Sequence, residues 1–194
     1  MMTSTINLPW PTLDRVFLVG LGHKARQGKD TACAAILARF PEARRVAFAD
    51  AVRAVCRVNH GMTAKDASLL QQIGVGRRQT DPDLWVRTAA WTIHDWQTDQ
   101  QGVPSIVVIP DVRFPNEVAF VKRHGGLMVR IERLRADGSP YIADDRPATH
   151  ISETALTGKD FDLTLPNPEG RADLLRDRIG EAVKWHFWAW TERL

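Results

Sequence analysis

Five short apolar runs punctuate the chain, at Arg15–Leu21, Arg44–Ala49, Ser105–Ile109, Gly126–Glu132 and Asp162–Leu165, and none alternates cleanly between apolar and polar positions. Such runs predict strands buried on both faces of a sheet. The stretches between them carry apolar residues at helical spacing and predict helices over Lys29–Phe40, Asp50–Val58, Ala64–Ile73, Asp83–Gln100, Asn116–His124 and Gly170–Thr191. Strand then helix, repeated along the chain, implies a three-layer α/β fold in which a mostly parallel five-stranded sheet lies between helices. In such sheets ligands sit beyond the carboxyl ends of the strands, so polar residues at those ends are the first candidates for chemistry.

Two segments depart from the pattern. Met1–Pro11 holds Pro9 and Pro11 and reads as a frayed arm. Arg133–Thr149 holds Gly138, Pro140, Pro147 and three arginines, and reads as a mobile loop or lid over residues 133–149. The last helix carries Leu175, Ile179, Ala182, Val183 and His186 at helical spacing, with Trp185, Trp188 and Trp190 towards its end. Core periodicity favours a covering helix whose aromatics pack on the sheet edge over a platform for stacked bases.

With 194 residues and neither an internal repeat nor a low-complexity linker, the chain fits one domain, 1–194, able to bury about 70% of its unfolded surface. Cys33 and Cys56 lack C-x-x-C or Cys/His ligand spacing and read as buried thiols of a reducing compartment. No charged-then-apolar leader opens the chain and no apolar run approaches the roughly 18 residues of a membrane span, so a cytoplasmic protein with no membrane partner is expected. The net charge of +3 arises from 26 basic and 23 acidic residues, interspersed along the chain. The basic residues gather as Lys24/Arg26/Lys29, Arg77/Arg78/Arg87 and Arg130/Arg133/Arg135/Arg146. Local groups of this kind suit a small phosphorylated molecule better than a nucleic acid, whose binders carry a basic stripe.

The densest chemistry lies at Arg15–Thr31, where a predicted strand enters a helix through a turn ending in Gly28-Lys29-Asp30-Thr31. Backbone N–H groups and the positive end of the helix dipole would face an anion there, with Lys29 reaching the terminal phosphates of a nucleoside triphosphate. An ordinary strand-to-helix turn with a surface lysine is the competing reading. The usual G-x-x-x-x-G-K-[S/T] spacing would put the first glycine at His23, with Gly22 one residue early, and the hydroxyl at Asp30. Asp111 follows the run Ser105–Pro110; a carboxylate at a strand tip can hold Mg²⁺ directly or through water, while Arg113 reaches a phosphoryl group. Asn116, after Pro115, can cap the next helix at the same time. Asp50 holds the equivalent place after the second strand, and two readings stay open for it: a role on a proton or the metal shell, or a helix cap.

In order along the chain, Lys24-Ala25-Arg26-Gln27-Gly28-Lys29-Asp30-Thr31, Phe48-Ala49-Asp50, Leu70-Gln71-Gln72-Ile73-Gly74 with Arg77 or Arg78, Asp81-Pro82-Asp83-Leu84-Trp85-Val86, Asp111–Glu117 and His150-Ile151-Ser152-Glu153 resemble blocks of the deoxynucleoside monophosphate kinases of bacteriophages and prophages. The resemblance runs from about Arg15 to about Leu175. It implies a P-loop kinase fold with a helical monophosphate-binding insertion at 59–104. It also implies transfer of the γ-phosphoryl group of ATP, with Mg²⁺, to a deoxynucleoside 5′-monophosphate, supplying phage DNA synthesis in the cytoplasm of an infected bacterium.

On that resemblance Lys24, Ala25, Arg26, Gln27, Gly28, Lys29, Asp30 and Thr31 cradle ATP, with Lys29 on the β- and γ-phosphates, Thr31 on the α-phosphate and Asp30 near the metal. Asp50 and Asp111 serve the substrate phosphate or Mg²⁺, and Arg113 steadies the transferring group. Arg77, Arg78 and Trp85 form the monophosphate site, with Glu117 on the substrate side; Arg133 and Arg146 flank the lid and Asn167 contacts the adenine. The residues alone leave Trp85 equally suited to the core, and one of Arg77 and Arg78 to a solvated helix end. A homodimer is compatible with the resemblance, and no stable nucleic-acid complex is expected. Two further readings stay open: a kinase of another small phosphorylated metabolite, because similar G-K-D loops occur in phosphomevalonate and coenzyme A precursor kinases, and a non-catalytic nucleotide- or DNA-binding protein, which the basic balance and seven tryptophans would suit.

Overall fold

A computed structural model describes residues 9–22, 24–143 and 154–194. Its strands β1 (Val16–Gly22), β2 (Arg44–Arg45), β3 (Ser105–Val112), β4 (Leu127–Leu134) and β5 (Leu163–Pro168) form one parallel sheet in the order β2-β3-β1-β4-β5. The helices among the described residues are α1 (Lys29–Arg39), α2 (Phe48–His60), α3 (Ala67–Thr80), α4 (Leu84–Asp99), α5 (Pro115–Arg123) and α6 (Ala172–Thr191). Every residue of β1 is buried because both faces of the sheet are covered. Successive side chains on a strand point to opposite faces, so β1 feeds two cores. Phe17, Val19 and Leu21 pack with Ala32, Cys33 and Ile36 of α1 and Leu175, Ile179 and Val183 of α6. Val16 and Leu18 pack on the other side with Phe48, Val52 and Cys56 of α2, Trp85 and Ile93 of α4, and Phe120 of α5. The two thiols are therefore buried on opposite sides of the sheet.

The α/β architecture is as expected, and the differences in its elements have local causes. The second strand pairs only at Arg44 and Arg45, and the chain turns helical at Phe48 instead of at Asp50. The carboxylate of Asp111 takes the N–H groups of Phe48 and Ala49 at 3.0 and 2.8 Å and so starts α2 early. Helix α3 runs through Gly74 and Gly76 to Thr80 where the sequence pattern ends it at Ile73; Gly74 is buried and its carbonyl accepts the Trp85 indole N–H at 3.1 Å. Strand β3 runs past Ile109 to Val112 with a bulge, since Gly20 pairs with Ile109 and Gly22 with Val112. One residue of β1 thus faces Pro110 and Asp111 together, a place where a central strand tolerates proline.

The N-terminal arm is pinned where it is described: Pro11 is buried and Trp10 stacks on Phe120 at 6.2 Å beneath the Arg123 guanidinium. Met1–Leu8 of that arm lie outside the described residues. In α6 the expected face is buried at Leu175, Ile179 and Val183, whereas His186 is exposed. Trp190 packs on Phe17 at 5.7 Å, but Trp185 and Trp188 are 66% and 57% exposed. Trp185, two positions beyond Val183, falls on the opposite side of the helix. The start of the 133–149 segment is a hydrogen-bonded return: Leu134 bridges Pro140, and the Tyr141 N–H donates to the Arg133 carbonyl at 2.9 Å. Residues 144–149 lie outside the described part.

Candidate active site

The loop after β1 closes on itself and hands over to α1. Gly28 sits at the helix N-cap with φ of 108°, a left-handed conformation open to glycine, and its carbonyl accepts the Ala32 N–H at 3.0 Å. A Cβ on Gly28 would also run into the amide of Asn167. Lys29, the first helical residue, is only 9% exposed, and its Nζ donates to the carbonyl of Lys24 across the loop. The side chain of Gln27 turns away from the loop's open side and is buried.

Beyond the carboxyl ends of the strands lies a cavity of about 1270 Å³. The loop and first turn of α1 form one side through Ala25, Arg26, Gly28, Lys29, Asp30 and Thr31. Helices α2 and α3 form another, and Asp111, Arg113 and Phe114 form the floor. Arg133 and Asn167–Gly170 close it at the β4–β5 edge. Eight basic side chains line it, Arg26, Lys29, Arg45, Arg53, Lys65, Arg78, Arg113 and Arg133, against three acidic ones, Asp30, Asp111 and Glu169. A concave site of that sign concentrates anions.

The acids beneath the cavity order its bases. Asp50 does not line it: as the third residue of α2 it turns back to accept the Ala47 N–H at 3.2 Å, and it pairs with Arg45 at 2.8 Å and Arg53 at 2.6 Å. Both of those arginines do line the cavity; the N-cap position itself falls on Ala47, three residues before Asp50, and Asp50 meets the cavity only through the two arginines it holds. Asp111 does reach the cavity, and the bulge at Pro110 brings it there. Burial raises its pKa above the usual carboxylate value; its two backbone N–H bonds and Arg113 oppose that rise, and Asp50 adds to it. Glu117 is 1% exposed, accepting the N–H groups of Arg113 at 2.6 Å and Phe114 at 3.1 Å and pairing with Arg78 at 2.9 Å. Burial pushes its carboxyl up to about 7. It touches the cavity only through Arg78 and Arg113.

Several expected site residues lie elsewhere. Trp85 is 2% exposed with its indole bound to Gly74, a core residue with no face to offer a base. Arg77 is exposed on α3 away from the cavity, leaving Arg78, whose guanidinium also lies 4.5 Å over Phe114. Lys24 contributes its carbonyl to the loop, and its side chain is exposed outside the cavity. His23, Arg146 and His150–Glu153 lie outside the described residues. Sequence reasoning missed Arg45, Arg53 and Lys65. Arg45 ends a strand, where the strand-end rule finds it; Arg53 is legible as the i+3 partner of Asp50; Lys65 carries no such signal.

No family model matches the chain. A 62-residue stretch is 45% identical to a protein of Acanthamoeba polyphaga mimivirus named "Putative deoxynucleotide monophosphate kinase". The match covers 31% of this chain and 28% of that protein. A solved structure from Chloroflexus aurantiacus, titled a putative kinase, superposes with a TM-score of 0.50 at 14% identity, over 92% of this chain and 99% of that one. The chain thus shares the fold of that structure: a parallel five-stranded sheet between helices. No described helix is long and apolar enough to cross a membrane.

Proposed function

We propose that the chain is a P-loop phosphotransferase that moves the γ-phosphoryl group of ATP to a deoxynucleoside 5′-monophosphate, in nucleotide supply for viral DNA synthesis. The observation that carries this reading is the large cationic cavity between the phosphate loop and α2–α3. Its 1270 Å³ exceeds the roughly 300–1,000 Å³ that one small ligand commonly fills, and its eight bases match two phosphorylated ligands meeting end to end. The short stretch shared with the mimivirus protein supports the choice of acceptor.

In this reading Lys29 and the first turn of α1 take the β- and γ-phosphates, with Thr31 on the α-phosphate, and Arg133 and Asn167 meet the nucleoside of ATP. Arg45, Arg53, Lys65 and Arg78 hold the acceptor's phosphate, and the helices within 59–104 form the wall for its base. Arg113 faces the phosphoryl group in transit. An acceptor phosphate oxygen attacks the γ-phosphorus as the bond to ADP breaks, so placement and charge neutralisation are what the protein supplies.

Mg²⁺ fits the donors present. It keeps several waters and takes one or two carboxylates plus phosphates instead of a protein cage. Asp30 and Asp111 line the cavity, and no group of three or more His, Cys, Asp or Glu is gathered among the described residues. Each Asp111 oxygen accepts one N–H and retains a second lone pair. Bound there, the ion would neutralise charge on the β- and γ-phosphates.

The test is ADP release by the purified protein with ATP, Mg²⁺ and each of dAMP, dCMP, dGMP and dTMP, against a control without acceptor. Release that depends on a deoxynucleotide supports the reading and reveals base preference. Release indifferent to all four, or none, sends the assignment to another phosphorylated metabolite or to a binding role.

A further inference from the structure

Gln27 joins its loop to two segments far away in sequence, one through its side chain and one through its backbone carbonyl. It is 5% exposed and lies behind the phosphate loop. Its Oε1 accepts the backbone N–H of Arg133, near the end of β4, at 2.6 Å. Its Nε2 donates to the carbonyl of Tyr141, beyond the 135–139 turn, at 3.2 Å, and to the loop carbonyl of Ala25 at 3.4 Å. The backbone carbonyl of the same residue accepts Asn167 Nδ2, near the end of β5, at 2.9 Å. Arg133 stacks its guanidinium over the Tyr141 ring at 4.3 Å, so one amide fixes the backbone on both sides of that pair. Arg133 and Asn167 both line the cavity beside Gly28. A buried amide with donor and acceptor ends both engaged restricts whatever it joins, because losing either bond leaves a buried polar group unsatisfied.

We propose that Gln27 is a positioning residue whose side chain locks the phosphate loop to the end of β4, presetting Arg133 for the nucleoside of a triphosphate bound on the loop. The inference rests on the triphosphate reading of this cavity. A bare polyphosphate chain needs only the loop, whereas a nucleotide also needs the wall that Arg133 and Asn167 form. Loss of the side-chain lock leaves the phosphate contacts and the Asn167 bond to the Gln27 carbonyl in place and spreads Arg133 over several orientations, so its cost falls on the nucleoside alone.

Calorimetric titration of ATP and of inorganic tripolyphosphate, each with Mg²⁺, into wild type and Gln27→Met separates the two contributions. Methionine keeps the length of the side chain and removes both polar ends. The variant is expected to lose about tenfold in ATP affinity and less than about twofold in tripolyphosphate affinity. Parallel losses would make Gln27 an ordinary support of the loop and overturn the proposal, as would unchanged ATP affinity. Wild-type protein that binds neither probe would remove the triphosphate reading and this inference with it. If Gln27→Met does not fold, amide exchange in wild type decides: ATP should slow exchange at the Arg133 N–H and tripolyphosphate should not. An equal response to both overturns the proposal.

Discussion

Glu117→Gln isolates the effect of one buried charge on the site's foundations. The Glu117 carboxyl titrates at about 7 where 4.5 is ordinary, chiefly because burial strips its water; the Arg113 N–H, the Arg78 guanidinium and the Phe114 N–H pull it down, and Asp111 pushes it up. Since the folded-state value lies above the unfolded one, the folded protein holds this proton more tightly than the unfolded chain. The contribution is complete below about pH 4.5 and is lost as the pH climbs to about 7. At roughly 1.36 kcal/mol per pH unit, that span amounts to about 3 kcal/mol. Glutamine is neutral throughout. The unfolding free energy of the variant, less that of wild type, should therefore rise by about 3 kcal/mol in the variant's favour between pH 4.5 and 7 and stay level above. Urea titrations followed by tryptophan fluorescence at half-unit steps from pH 4.5 to 8.5 measure it. Altered hydrogen bonding in the variant offsets the whole curve without changing its slope. A level difference across the window would mean that Arg78 and the two N–H groups fully offset burial, and a falling one that they outweigh it; either refutes the reasoning.

Four more substitutions have outcomes set by the same geometry. Lys29→Ala should lower ADP release at least a thousandfold and Arg113→Ala about a hundredfold, each with an unchanged far-ultraviolet circular dichroism spectrum; near wild-type turnover in either would remove that residue from the chemistry. Gly28→Ala, which meets both a left-handed backbone and the amide of Asn167, should cost about 1–3 kcal/mol by denaturant titration and weaken ATP binding. Trp85→Phe deletes the bond to the Gly74 carbonyl and should cost about 1–3 kcal/mol while leaving the ranking of the four deoxynucleotides intact; a reordered preference would put Trp85 back beside the base.

Local pattern and long-range contact account for what could and could not be read in advance. Strands β1, β3, β4 and β5 and the helices were legible because each holds an apolar run or an apolar stripe, a property of neighbouring residues, whereas β2 is only the exposed pair Arg44–Arg45. The loop between β1 and α1 was legible for the same reason, as a short turn of glycine and lysine between a strand and a helix. Element ends were less so where a distant side chain sets them. Helix α2 begins at Phe48 because the carboxylate of Asp111, 63 positions later, receives that N–H, and no window around Phe48 contains that information. Roles that depend on which way a side chain turns were the least legible. Asp50 and Asp111 look alike in sequence, each an acid after an apolar run, yet the bulge at Pro110 carries Asp111 to the cavity while Asp50 turns back to its own helix and holds Arg45 and Arg53. The two acids thus divide the work at one helix end: Asp111 receives two of its N–H groups from the cavity side, and Asp50 braces the two arginines that flank it. A substitution at either should therefore disturb the same end of α2, which makes the start of that helix, and not either carboxylate alone, the unit that shapes that side of the cavity.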